Sequence, residues 1–150
     1  KKYGLPQSIA DQFDIVNPES DARYREYWDT YHAAMARKGM SPQLAQAVLR
    51  TNTTVIAAVM VARGEADSMI CGTFGNFPWH LGYVEQMLRT DELLPVGALS
   101  LLILASGPLF VSDNHVNSEP TSQQIADFLV ATARHIRPLG TEPQSLLCAH

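Results

Sequence analysis

The sequence is short of cysteine, of charge and of long apolar runs, and each shortage excludes something. Two cysteines, Cys71 and Cys148, occur in 150 residues. Both sit in apolar, strand-like runs. Two buried thiols fit a reducing cytoplasm better than a disulfide framework. Neither has a metal-ligating neighbour at short spacing, so no metal site is expected. Charged residues make up 17% of the chain, with a net charge of -4. No basic patch stands out, which argues against a nucleic-acid partner. The longest apolar run, Val96 to Ala105, is too short to span a bilayer. The amino end lacks the charged-then-apolar pattern of a signal peptide. Internal repeats and low-complexity segments are absent as well. The expectation is a cytoplasmic protein with no membrane partner.

What is present suffices for a core. The apolar fraction is 46%, ordinary for a globular chain. The length suits one domain or a large part of one. Lys1 to Leu5 reads as the last turn of a helix closed by Gly4. Phe13 to Val16 is a short strand candidate, stopped by Asn17-Pro18. Ser20 or Asp21 should cap a helix running to about Lys38. Tyr24, Tyr27, Trp28, Tyr31 and Met35 form its apolar stripe, suited to a core or a subunit interface. Ser41-Pro42 starts a second helix carrying Leu44, Val48 and Leu49. Arg50 to Thr54 breaks the pattern. A third helix, about Val55 to Ala62, should be well buried.

The centre of the chain is Arg63 to Thr73. A helix ends at Gly64, Glu65 to Asp67 turns the chain, and Ser68 to Cys71 reads as a strand. Gly72-Thr73-Phe74-Gly75-Asn76 follows, then a helix from Phe77 to Leu88. Val96 to Leu104 reads as an interior strand with both faces covered. Ser106-Gly107 turns it into an antiparallel partner, Leu109 to Ser112. Asp113 to Pro120 is a polar loop. Thr121 or Ser122 caps a last helix with Ile125, Phe128, Leu129 and Ala133 inward. Ser145 to Ala149 is a final strand, ending at His150. The four strands are expected in one sheet. Both ends read as cut, so 1-150 is expected to be a fragment.

Candidate chemistry is concentrated in loops. Gly72 and Gly75, between a strand and a helix, allow close backbone approach of an anion at a helix amino end. The equal alternative is an ordinary strand–helix turn. Asp113 and Asn117 sit past a strand end, where α/β sheets place ligands. Tying their own loop through side-chain hydrogen bonds is the favoured reading of the two. His80 and His115 are acid–base candidates, each outweighed by a packing or surface role. Arg50 and Arg63 flank the third helix and are candidate phosphate contacts. Cys71 has no visible activating base and reads as a core thiol.

From Gly64-Glu65-Ala66-Asp67 through Cys71-Gly72-Thr73, the sequence resembles the phosphate acetyl/butyryltransferase (phosphotransacetylase) family. That family carries a Gly-Glu-Ala-Asp step, a short apolar strand and a Ser-Gly-Ala turn or a variant. Asp113, Val116, Asn117 and Pro120 before a helix match as well, as does Leu146-Leu147-Cys148-Ala149-His150. Asn17-Pro18, Tyr24-Arg25-Glu26-Tyr27-Trp28 and Arg50-Thr51-Asn52-Thr53-Thr54 look like the phosphotransacetylase-like carboxy-terminal domain of large bacterial NADP-dependent malic enzymes.

The resemblance implies an α/β fold. It would be a three-layer α/β/α arrangement with a mixed, mostly parallel sheet, part of a two-subdomain, isocitrate/isopropylmalate dehydrogenase-like architecture. The family domain is about twice as long, with a strand and helix before Lys1 and further structure after His150. The implied ligand is acetyl-CoA or a related acyl-CoA. Gly72, Thr73, Gly75, Asn76, Asp113, Asn117 and His150 are the candidate ligand residues, and no catalytic residue is assigned. No cofactor is expected in this segment. NADP and Mg or Mn would belong to the malic enzyme catalytic domains of the same parent chain, and a homo-oligomer is expected. In true phosphotransacetylases the helix after the central strand carries a phosphate-binding arginine, and that position here is Gly82. The departure favours a regulatory, acetyl-CoA-sensing domain over an active phosphate acyltransferase. A mainly structural oligomerisation module is the third reading.

Overall fold

A computed structural model describes residues 6–89, 96–113, 115–140 and 142–144. The chain divides into two units, Lys1–Arg89 and Thr90–His150. The expected features at Lys1 to Leu5, Ser145 to Ala149, Cys148 and His150 lie outside the described residues.

The first unit is helical. A short helix, α1 (Gln7–Ala10), precedes an irregular segment where Phe13 to Val16 was expected to be a strand. That segment has no ladder partner among the described residues, and Asp14 there forms an ion pair with Arg23 at 2.8 Å. Helix α2 (Tyr24–Met35) starts later than the expected cap. The Asp21 carboxylate instead accepts the Arg23 amide at 2.8 Å and pairs with its guanidinium, closing a turn ahead of the helix. The aromatic stripe behaves as the spacing requires, with Tyr27, Tyr31 and Met35 buried. Gly39, at φ 85°, then ends a short 3-10 turn over Ala36–Lys38.

Helix α3 (Pro42–Thr51) begins at the expected signal, where the Ser41 hydroxyl accepts the Leu44 amide. Ala45 and Leu49 are its buried residues, whereas Leu44 is 50% exposed. Leu44 lies on the solvent side because the buried stripe runs through 45 and 49, one turn apart. A single extended residue, Asn52, bends the chain by 109° into α4 (Thr53–Ala62). Five residues of α4 are buried, Val55, Ala58 and Val59 completely. Gly64 and Glu65 donate amides back to Val61 and Met60, a paired closure that needs the positive φ of 73° at Gly64. Helix α5 (Phe77–Leu88) spans the expected residues, opens at Asn76 and packs on α4 and α2.

The expected strand Ser68 to Cys71 is not a strand but irregular chain. No described strand pairs with it, and Ile70 is 99% exposed. Apolar content alone does not make a strand, which also needs a neighbour to complete its hydrogen bonds.

The second unit holds a hairpin and a helix. Strands β1 (Leu99–Leu104) and β2 (Gly107–Ser112) pair antiparallel, in register from Leu99↔Ser112 to Leu104↔Gly107. The turn is Ala105-Ser106, one residue earlier than expected, and Gly107 at φ 121° opens β2. Among the described residues the sheet has these two strands only. Among those residues β1 is therefore an edge strand rather than an interior one, and Ile103 is 87% exposed. Helix α6 (Ser122–Ile136) is opened by Thr121, whose hydroxyl accepts the Gln124 amide while the Gln124 side chain returns to the Thr121 amide. Phe128 and Ile136 are its buried residues. The Ser112 and Thr132 hydroxyls, 2.9 Å apart, join β2 to α6.

Candidate functional site

The Gly72–Asn76 loop belongs to the first unit. Both ends of the segment leading through it are anchored. At its start, the Tyr27 hydroxyl donates to Glu65 at 2.6 Å, and Glu65 also pairs with Arg63. Arg63 reaches on to Glu26 and lies over the Tyr27 ring, 5.5 Å from its centroid. The Tyr27 hydroxyl, and secondly Arg63, hold the Glu65 carboxyl below the usual range. Burial, reinforced by Glu65, pushes the Tyr27 phenol up to about 12. Arg63, a candidate phosphate contact from the sequence, thus spends its guanidinium on two carboxylates.

At the far end, Asn76 accepts the Trp79 amide through Oδ1 at 3.0 Å and caps α5. Between these anchors, Gly72 has φ 105° and Gly75 has φ 86°, a region that favours glycine. A Cβ on Gly75 would stand 3.2 Å from His80 Nε2. His80 is 6% exposed. Its Nδ1 is 2.8 Å from the Thr54 hydroxyl, and its Nε2 bonds the Phe74 carbonyl. The histidine therefore joins α4, α5 and the loop.

Two cavities flank the loop. One, of about 390 Å³, is lined by Gly72, Gly75, Phe77, His80, Leu81 and Val84, together with Cys71. The other, of about 260 Å³, reaches Thr53, Thr54, Ala57, Thr73 and Phe74. Cys71 opens onto both and is exposed, correcting the expected core thiol. Among the described residues no strand pairs with 68–71. Gly82 has open space where a Cβ would be, so bulk does not exclude a longer side chain there.

The loop of the second unit is tied to itself. Asn117 Nδ2 donates to the Val96 carbonyl and to Asp113 Oδ2, each at 2.9 Å. Asp113 adopts φ 51°, and its amide donates to the Ala98 carbonyl at 2.6 Å. Asp113 Oδ1 is buried without a partner among the described residues. His115 is exposed. No group of three His, Cys, Asp or Glu converges among the described residues. No single described helix is long and apolar enough to cross a membrane. The bent α3–α4 pair has the length, but α4 forms the core. Thr54 and Leu81 were missed in the sequence. Thr54 is visible only through its histidine partner, 26 positions away.

The family model for phosphate acetyl/butaryl transferase matches residues 3–150. The chain belongs to this family. It is 41% identical over its whole length to an NADP-dependent malic enzyme of Salmonella typhimurium, of which it covers 20%. It is 42% identical to an NAD-dependent malic enzyme of Rhizobium meliloti, again covering 20% of that protein. Identity to a phosphate acetyltransferase of Nitratidesulfovibrio vulgaris is 25% over 93% of the chain and 20% of the relative. The chain therefore spans a fifth of these curated relatives. The EutD phosphotransacetylase from Staphylococcus aureus shares the fold, with a TM-score of 0.72 at 20% identity over 91% of this chain and 43% of that one.

Proposed function

We propose that this member of the family is the phosphotransacetylase-like regulatory module of a malic enzyme, that it senses acetyl-CoA, and that it helps the parent form a homo-oligomer. The supporting observation is the identity of 41% to a malic enzyme along the whole chain, against 25% to a phosphate acetyltransferase. The parent would oxidatively decarboxylate malate to pyruvate in the cytoplasm, with NADP and Mg or Mn held by its other domains. A three-layer α/β/α arrangement completed by the rest of the parent belongs to this proposal.

The ligand loop is Gly72–Asn76, with Thr73 beside it in the second cavity. Its two glycines leave the backbone open at the amino end of α5, where phosphate or pyrophosphate is favoured by the helix dipole. Asp113, Asn117 and His150 are proposed ligand residues as well, and Asp113 Oδ1 has no hydrogen-bond partner among the described residues. Acyl transfer to phosphate needs cationic groups on the acyl phosphate. Gly82 leaves α5 without one.

The test is calorimetric titration of the full-length protein with acetyl-CoA. Binding is expected, and Gly75→Ala, strained at φ 86° and with its Cβ 3.2 Å from His80 Nε2, should shift the loop and weaken binding by about tenfold. Absence of binding would end the sensing reading, and unchanged binding in the variant would place the site elsewhere. Acetyl transfer between acetyl phosphate and coenzyme A should not exceed a heat-killed control. Turnover above it would establish the acyltransferase alternative.

A further inference from the structure

His80 is buried on the side of α5 that faces α4 and the loop, and both of its ring nitrogens are occupied. The partners dictate the protonation pattern. A backbone carbonyl only accepts, so Nε2 must carry the hydrogen given to Phe74. Nδ1 of the neutral ring then keeps a lone pair and accepts from the Thr54 hydroxyl. The relay runs in one direction, from Thr54 through the ring to the loop carbonyl.

That carbonyl sets the next amide. The chain has no cis peptide bond among the described residues, and in a trans peptide the N–H points opposite to the C=O. With the Phe74 carbonyl drawn to His80, the Gly75 amide is turned away from the ring. Gly75 is exposed, and its lack of a Cβ is what lets the ring approach so closely.

We propose that His80 is a positioning residue: held by Thr54, it fixes the Phe74–Gly75 peptide so that the Gly75 amide is presented to an anionic group of the ligand. This rests on the reading of Gly72–Asn76 as the acyl-CoA or phosphate loop. The anion is the phosphate or pyrophosphate part of the ligand, since the ring itself meets protein on both nitrogens.

Two replacements divide the roles of the ring. His80→Gln retains a donor that reaches the Phe74 carbonyl. His80→Asn retains an acceptor for Thr54 and is too short to reach the loop. Acetyl-CoA and inorganic phosphate are titrated into the full-length protein, and amide hydrogen exchange is followed at 72–76 and in α4 without ligand. His80→Asn should speed exchange at 72–76 and weaken acetyl-CoA by about tenfold, at the upper end for one neutral hydrogen bond. His80→Gln should restore both, with α4 protection kept. Wild-type behaviour of His80→Asn would overturn the proposal. So would equal losses in both variants together with lost α4 protection, the mark of packing alone. If His80→Asn does not fold, Thr54→Val should loosen 72–76 and Thr54→Ser should not; equal behaviour would overturn it. Faster loop exchange in His80→Asn, with a wild type that binds neither probe, would uphold the positioning role and overturn the ligand reading instead.

Discussion

The two units close their apolar surface to very different degrees. In the first, Tyr27, Tyr31, Leu49, Val55 and Val59 are fully buried among three helices. In the second, a six-residue strand of nearly unbroken leucine and isoleucine leaves Leu101, Leu102 and Ile103 exposed. The strands are the more hydrophobic segment, yet the helices hold the core. Helices satisfy their own backbone and need only a packed stripe. A two-stranded hairpin is marginal until something covers a face. Apolar content therefore says how much surface wants cover, and topology says whether it finds any.

The largest break in this contrast should come from Tyr31→Ala. It empties a fully buried aromatic site and removes the 2.8 Å bond to Gln86. A loss of about 3–5 kcal/mol is expected, read as lost hydrogen-exchange protection in α4. Ile103→Ser on the hairpin should stay within about 0.5 kcal/mol by the same measure on β1. Similar losses at both positions would show that β1 is covered as well as α4.

Gly97→Ala sharpens the contrast inside the second unit. A Cβ there would stand 2.8 Å from the Phe128 ring. Overpacking of this kind costs about 1–3 kcal/mol. The loss should appear in α6 and spare α4. Unchanged α6 protection would mean that Phe128 moves aside freely.

The last expected effect is a pH dependence of the first unit. Burial first, then Glu65, raises Tyr27 from 10.0 to about 12, and burial does the same for Tyr31. The fold holds these protons more tightly than the open chain. Their stabilisation is therefore complete below pH 10 and is lost as pH rises toward 12. Tyr27→Phe should flatten part of that decline in α4 protection. An unchanged slope would remove Tyr27 from the account. Glu65 acts at the other end. Its lowered carboxyl contributes above its ordinary range, and the contribution is lost as pH falls through the folded value.

Much of the local structure was legible in the residues themselves. The caps at Ser41 and Thr121 and the stop at Gly64 are local, short-range bonds, and they stand where the side chains predict them. The antiparallel hairpin was legible too, with its turn displaced by one residue. Ser68 to Cys71 misled because a strand is a pairing and its partner is not local. The loop-tying bonds of Asp113 and Asn117 were anticipated as a pattern. Their second anchor, the Val96 carbonyl 21 positions away, was not.

The sequence by itself determined the family, the order of the longer helices and most of the positions where they start and stop. These depend on residue identity and on neighbours within a turn or two. The tertiary structure decided which apolar residues are covered and what His80 touches. It also decided that Cys71 is open and that Arg63 is committed to carboxylates. Each of those depends on which distant segment comes alongside, and a polar or apolar side chain carries no record of its partner until the chain has folded.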